Sequence, residues 1–302
     1  MGKRPKNRIY IILAFFSIYV IWGSTYLWNK MAVSELPPFM LAAVRFIVGS
    51  LIIFVIAKAL GKSLAITRKQ LFNVIFVGFL FLSIGNGLAV WALKFIDSGF
   101  AALQISAQPL VILLMMWLIQ GKKIQTMSMV GVVLGMIGIY LLVGQQEILV
   151  QENAVLGMVM IFICMLSWGY ASIFVAKADL PKNYFVNTGY QMMTGGLLLT
   201  IMSLSFGETW SNPLAWSQTT QGVMLLLVFF GSILAFTSFN YLLKVVSPEK
   251  VATSTYVNPL VALLLGWYFL EETITIQSAV AAVILLTGVY FINTKKKLGF
   301  KR

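Results

Sequence analysis

The sequence predicts an all-α integral membrane protein, with ten transmembrane helices arranged as two inverted five-helix repeats. Composition, an internal duplication and the placement of basic residues point to it. Of 302 residues, 60% are hydrophobic and 10% charged, and the mean hydropathy is +0.91. A soluble domain is nearer ~45–50% apolar and ~25% charged, so the solvent for most of this chain is lipid.

The duplication is legible in one stretch. Trp91 to Trp117 reads WALKFIDSGFAALQISAQPLVILLMMW, and Tyr241 to Trp267 reads YLLKVVSPEKVATSTYVNPLVALLLGW. Leu93-Lys94 falls on Leu243-Lys244, Pro109-Leu110-Val111 on Pro259-Leu260-Val261, and Gly138 and Tyr140 on Gly288 and Tyr290. With small gaps the match extends back: Trp22-Gly23 pairs with Trp168-Gly169, and Arg45…Gly49 with Gln191…Gly195. A repeat read this way fixes the fold before any single element does. The predicted units are residues 1–147 and 148–302.

A span needs ~20 mostly apolar residues. Ten segments qualify: 9–29, 38–57, 71–92, 98–119, 126–144, 155–176, 184–205, 221–241, 251–270 and 276–293. Basic Met1–Arg8 followed by apolar Ile9–Trp22 resembles a signal peptide. No small-residue cleavage site follows, so a retained first helix is expected. With a cytoplasmic N-terminus, 19 of the 22 basic residues fall in inside segments. Lys30 and Lys94 alone fall outside, and Arg45 lies within a span. This asymmetry places both termini in the cytoplasm. Seven of the nine acids fall outside. Five spans per repeat is an odd number, so the second copy enters the membrane upside down. Inverted repeats of this kind are a recurring plan of secondary transporters, with the substrate near the midplane.

Composition also excludes functions. The net charge of +13 is spread over short gaps between apolar runs, so it sets orientation and does not form a nucleic-acid-binding face. The chain has no His and one cysteine, Cys164, inside an apolar run. No metal, disulfide or cofactor is called for, and an intramembrane enzyme would have little chemistry to work with. No phosphate-binding loop of the GxxxxGK[ST] type is present. The expected partners are a small-molecule substrate and the lipid bilayer.

These residues resemble the EamA-type transporters of the drug/metabolite transporter (DMT) superfamily, as two consecutive five-helix copies. In copy one the resemblance rests on Trp22-Gly23-Ser24 with Lys30, Pro37/Pro38 with Arg45, and Ala92-Leu93-Lys94 to Pro109-Leu110, followed by Gly131, Gly135 and Gly138. Copy two shows Trp168-Gly169, Lys177, Leu242-Leu243-Lys244, Asn258-Pro259-Leu260, Leu270-Glu271-Glu272 and Gly288. Family repeats tend to have Gly-Glu after the Pro-bearing helix, where copy one has Gly121-Lys122-Lys123 and copy two Leu270-Glu271-Glu272, and copy two has Gln191 where copy one has Arg45. The resemblance implies transport of a small metabolite, commonly export of amino acids or related compounds.

The candidate substrate-binding residues are Gln108, Asn258, Gln104, Ser254, Arg45, Trp22, Tyr26, Trp168 and Tyr256. Gln104 and Gln108 share a helix face, and Ser254 and Asn258 are their repeat equivalents. Two uses fit such polar faces: contact with a substrate, or interhelical hydrogen bonds. Arg45 lies some 12 Å into its helix at ~1.5 Å per residue, suited to an anionic substrate group or to backbone carbonyls. Trp22, Tyr26, Trp91, Trp168, Tyr170 and Tyr256 suit an apolar cavity wall or ordinary packing. Pro109 and Pro259, in equivalent spans, are candidate gating kinks or fixed bends. Asn86, Asn240 and Gln191 are weaker polar candidates. No Asp or Glu lies deep in a span, and Glu271, Glu272 and Asp97 sit at span ends. A facilitator without proton coupling follows. The expected activity is export of a small metabolite across the inner membrane by alternating access. A multidrug or cationic-compound exporter is the alternative, and a membrane scaffold is a rival outside transport.

Overall fold

The computed structural model describes residues 6–121, 124–145, 152–246, 251 and 254–293, and among them it contains helices and no strand. Helix α1 comprises Lys6–Phe16, Ser17–Ile21 and Trp22–Val33 in unbroken succession; α2 is Pro38–Ala59. Helix α3 comprises Arg68–Gly78, Phe79–Asn86 and Gly87–Ala92, and α4 comprises Ser98–Ile105 and Gln108–Gln120. Then come α5 (Thr126–Val143), α6 (Ala154–Val175) and α7 (Tyr184–Ser205). Helix α8 comprises Gln218–Leu226, Leu227–Phe236 and Thr237–Val245, followed by α9 (Ser254–Leu270) and α10 (Ile276–Asn293). Seven of these, α1 to α6 and α8, are long and apolar enough to cross a membrane. Val257–Leu270 and Ile276–Ile292 are shorter apolar runs. Helix α7 is as long as α2 but carries the buried polar residues Asn187, Thr188 and Gln191. The protein is an all-helical, multi-pass membrane protein.

Local chemistry sets the helix starts. Pro38 opens α2, where its missing N–H leaves nothing unsatisfied. Thr67 and Gln70 form a reciprocal capping box at α3, and the Asn183 side chain accepts from Phe185 and Val186 N–H at α7. Three helices contain a π-helical stretch: Ser17–Ile21 in α1, Phe79–Asn86 in α3 and Leu227–Phe236 in α8. Such widened turns displace carbonyls from the regular ladder and concentrate at functional places. Sequence periodicity carries no signal for them.

Packing follows the duplication. Helix α2 lies along α7, and α5 along α10, so equivalent helices are partners. The α5–α10 contact is backbone against backbone. A Cβ added at Gly131 would meet the Gly288 carbonyl oxygen at 2.5 Å, and one at Gly288 would meet Gly131 O at 2.8 Å. In a membrane such close approach supplies van der Waals contact that lipid tails cannot out-compete. Gly131→Val is therefore expected to destabilise the protein by ~1–3 kcal/mol. A melt of detergent-solubilised protein checks it, with Gly222→Ala, whose Cβ meets nothing within 4 Å, as the neutral control.

Candidate functional site

Two half-buried tryptophans one repeat apart meet against a common hydrophobic cluster. The rings of Trp22 on α1 and Trp168 on α6 are 5.8 Å apart and edge-on. Phe81 of α3 lies 4.6 Å from Trp168, and Phe239 of α8 lies 5.2 Å from Trp22. Such aromatic pairs contribute ~0.5–1.5 kcal/mol beyond their buried area. Trp22 is held there by the π turn of α1, its N–H bonding to Ser17 O, five residues back.

One turn away from each tryptophan, a side-chain amide joins the two copies. The Gln108 Nε2 of α4 donates to the Met165 carbonyl of α6 at 3.0 Å. With its amide oriented so that nitrogen faces the surrounding carbonyls, Asn258 of α9 donates to Ile18 and Tyr19 O of α1 at 2.8 Å each, and to Ser254 O at 3.2 Å. Gln108 and Asn258 are equivalent at the spacing that pairs Pro109 with Pro259, and Met165 and Tyr19 at the spacing that pairs Trp168 with Trp22. The two bonds are thus counterparts. Gln104 Nε2 likewise donates to Met158 O at 2.9 Å, while its buried Oε1 has no partner among the described residues. Ser254 is buried, Tyr26 half-buried, and the Tyr256 side chain lies outside the described residues.

Arg45 is almost wholly buried, its Nε 2.7 Å from Ser232 Oγ and Nη1 3.2 Å from Asn29 Oδ1. Its guanidinium lies 4.7 Å from the Phe46 ring centre. No carboxylate pairs with it among the described residues. At the equivalent place in the other copy, Gln191 Nε2 donates to Asn187, Asn187 to Asn240, and Asn240 to Thr188, over 2.9–3.3 Å. One copy has a buried cation where the other has a chain of amides. Asn29, Ser232, Asn187 and Thr188 are members of these networks that the sequence did not single out, because a lone polar residue does not announce its partner.

The prolines behave differently. Helix α4 breaks at Ser106–Ala107, just ahead of Pro109, with Ala107 N–H bonding only three residues back to Gln104 O. Helix α9 runs uninterrupted through Pro259 from Ser254 to Leu270. Trp91 packs on Phe39 and Phe206, against the same hydrophobic cluster as the tryptophan pair, and Tyr170 is exposed. The Asn86 Oδ1 is buried without a partner among the described residues.

The two ends of the bundle differ in charge. At one, Lys30 Nζ donates to Ile96 O at 2.8 Å, and Asp97 lies near Lys30 and Glu272. At the other, Lys69, Asn73, Gln120, Tyr170, Phe174, Lys177 and Asp179 border a groove of about 460 Å³.

A model of the EamA-like transporter family matches residues 9–144 and, again, 155–294. The chain belongs to this family. Its relatives include the inner membrane transporter YedA of Escherichia coli (strain K12), 31% identical over 288 residues, covering 94% of this chain and 91% of that protein. Transporter YoaV of Bacillus subtilis (strain 168) is 23% identical, covering 94% and 96%. A chloroplastic WAT1-related protein of Arabidopsis thaliana is 23% identical, covering 92% of this chain and 68% of its own. One solved crystal structure superposes with a TM-score of 0.68 at 18% identity, over 94% of this chain and 96% of the other; it supports the fold. As a member of the family, the protein is a membrane transporter.

The charge cluster makes a pH prediction. Burial, then the neighbouring Glu272, raise the Asp97 carboxyl above the ordinary range, with Lys30 pulling the other way. A raised native value means that the folded state holds the proton more tightly. Asp97's contribution to stability is therefore complete below the ordinary Asp value of ~3.9 and is lost as pH rises through the raised one. Asp97→Asn is expected to melt above wild type at pH 7, with the gap closing as pH falls toward 4. Thermal melts of both proteins across that window check it. Glu35 has the opposite sign, its carboxylate lowered by hydrogen bonds from Ser217 and Thr220.

Proposed function

We propose that this transporter is a ten-span carrier of two inverted five-helix repeats, 1–147 and 148–302, with cytoplasmic termini. It exports a small metabolite such as an amino acid by alternating access. The observation that carries this reading is the pair of counterpart bonds, Gln108 to Met165 O and Asn258 to Tyr19 O. Each ties the fourth helix of one copy to the first helix of the other, and each lies one turn from one of the paired tryptophans. Related contacts across a pseudo-two-fold axis give one chain two arrangements of similar energy, open to opposite sides. The side-by-side pairing of α2 with α7 and α5 with α10 supports the same axis.

The substrate lies against Trp22, Trp168 and Tyr26, with Gln104, Gln108, Ser254, Asn258 and Tyr256 supplying polar contacts and Pro109 and Pro259 setting where the fourth helices bend. Gln108 and Asn258 act chiefly by holding the wall in place, since their amide nitrogens are already committed to carbonyls. Arg45, buried without a carboxylate partner among the described residues, favours a substrate carrying a carboxylate over a cationic compound. No Asp or Glu stands in the interior of a span, which favours facilitated movement down the substrate gradient.

Counterflow in proteoliposomes with labelled amino acids and aromatic metabolites tests this reading. Saturable exchange, indifferent to a pH gradient and reduced at least fivefold by Trp22→Ala and by Asn258→Ala, is expected. Exchange driven by the gradient would overturn the facilitator. Exchange untouched by both substitutions would remove the site from the repeat interface.

A further inference from the structure

At the acidic end, carboxylates from the opposite copy hold three helix starts: two take the N–H groups of α2 and α4 directly, and the third grips Ser217, the residue that caps α8. Glu208, after α7, accepts from Phe39 and Met40 N–H at the start of α2, at 3.0 and 2.8 Å. Glu35, after α1, accepts from Ser217 N–H and Oγ and from Thr220 Oγ1 at the start of α8, at 2.5–2.9 Å. Glu272, after α9, accepts from Ser98 N–H and Oγ and from Gly99 N–H at the start of α4, at 2.8–3.0 Å. The last is built for the purpose. Glu271 turns the chain through a left-handed conformation, φ +55°, and the Glu272 carboxylate folds back beside Gly266, where a Cβ would collide with it.

Two symmetry-related starts at the other end, those of α3 and α7, are capped from within their own copy, with no anion from the other among the described residues. Helix α8 has both its own Ser217, whose Oγ accepts from Thr220 N–H at 3.2 Å, and Glu35 from the other copy. The residues immediately ahead of α9 lie outside the described ones. Helix α3, the equivalent of α8, uses Thr67 and Gln70. Helix α7, the equivalent of α2, uses Asn183. Contacts between copies exist there too, from Gln70 and Asn73 to Asp179 and from Tyr190 to Leu64 O, but none of them caps a helix. The copies can part at the basic end with the caps of α3 and α7 intact. Parting at the acidic end strips the N–H groups of α2 and α4 of their anions and the cap of α8 of the carboxylate that holds it, at places where the helix dipole and free N–H groups favour negative charge.

We infer that Glu35, Glu208 and Glu272 are the gate residues of the acidic end, three cross-copy carboxylates seated on helix starts that hold this face shut and set the balance between the two access states. This gate rests on the alternating-access reading. Its test reads conformation without substrate, so loss of transport and loss of the gate are separable.

The test is electron–electron double resonance on full-length protein in lipid nanodiscs, with Cys164→Ala removing the one native cysteine. Spin labels go on exposed pairs, Lys94→Cys with Leu214→Cys at the acidic end and Lys62→Cys with Ala176→Cys at the basic end. Glu35→Gln, Glu208→Gln and Glu272→Gln are measured singly and together, against a control with Thr67→Ala and Asn183→Ala. Glu208→Gln and Glu272→Gln are each expected to raise the ratio of long to short acidic-end distances roughly fivefold, the value of a cap near 1 kcal/mol, and Glu35→Gln to shift it in the same direction. The basic-end pair shortens in step, and the control leaves both pairs as in wild type. Unchanged acidic-end distances in the single variants, with unaltered circular dichroism, would overturn the gate. So would an equal response in the control, which would make the caps ordinary stabilising elements. Distances that respond in a protein that exchanges no solute would retain the gate as a conformational latch and reject transport.

Discussion

In the interior of a bilayer a polar group must find its partner inside the protein, and this requirement organises the contact between the copies. The Ile18 and Tyr19 carbonyls lie within the π turn of α1, and the Asn258 amide donates to both. Met165 receives the same service from Gln108. Because donor and acceptor belong to different copies, satisfying the backbone also fixes how the copies meet. The tryptophan pair then sits one turn along, on the line where they face each other. Arg45 meets the same requirement with a hydroxyl and an amide, and Gln191 with a chain of amides.

Much of this was legible in the sequence, for identifiable reasons. Hydropathy located the helices because apolar length is what lipid selects; the expected 38–57 and 184–205 fall inside α2 and α7. The spacing between copies paired Gln108 with Asn258 before any contact was known, and charge placement marked one end as acidic. The π turns were not legible, since a widened turn uses the same apolar residues as a regular one. Nor was the inward course of Glu272, which depends on the left-handed Glu271 and the bare backbone of Gly266. The prolines were read as a matched pair, yet only the Pro109 helix breaks. Ser106–Ala107 precedes it, whereas α9 continues through Pro259.

The difference between the ends gives the duplication its directional character. Two copies with identical caps would have no preference between opening one way and the other. Here one end is closed by carboxylates reaching across the copies onto helix starts, and at the other the copies meet, among the described residues, in bonds that take no helix-start N–H and border a groove between α3, α4 and α6. Charge that biases insertion and charge that ties helix ends together are drawn from the same few acidic residues.

The proposed inversion of the two copies carries the alternating-access reading, and topology tests it most directly. Lys94 and Lys244 are equivalent residues of the two repeats. Single cysteines at these positions in Cys164→Ala protein are probed in intact cells with a membrane-impermeant maleimide. The inverted arrangement predicts that position 94 reacts from outside, and that position 244 reacts only after the membrane is opened. Reaction of both from the same side would contradict inversion, and with it the two-fold relation between the counterpart bonds.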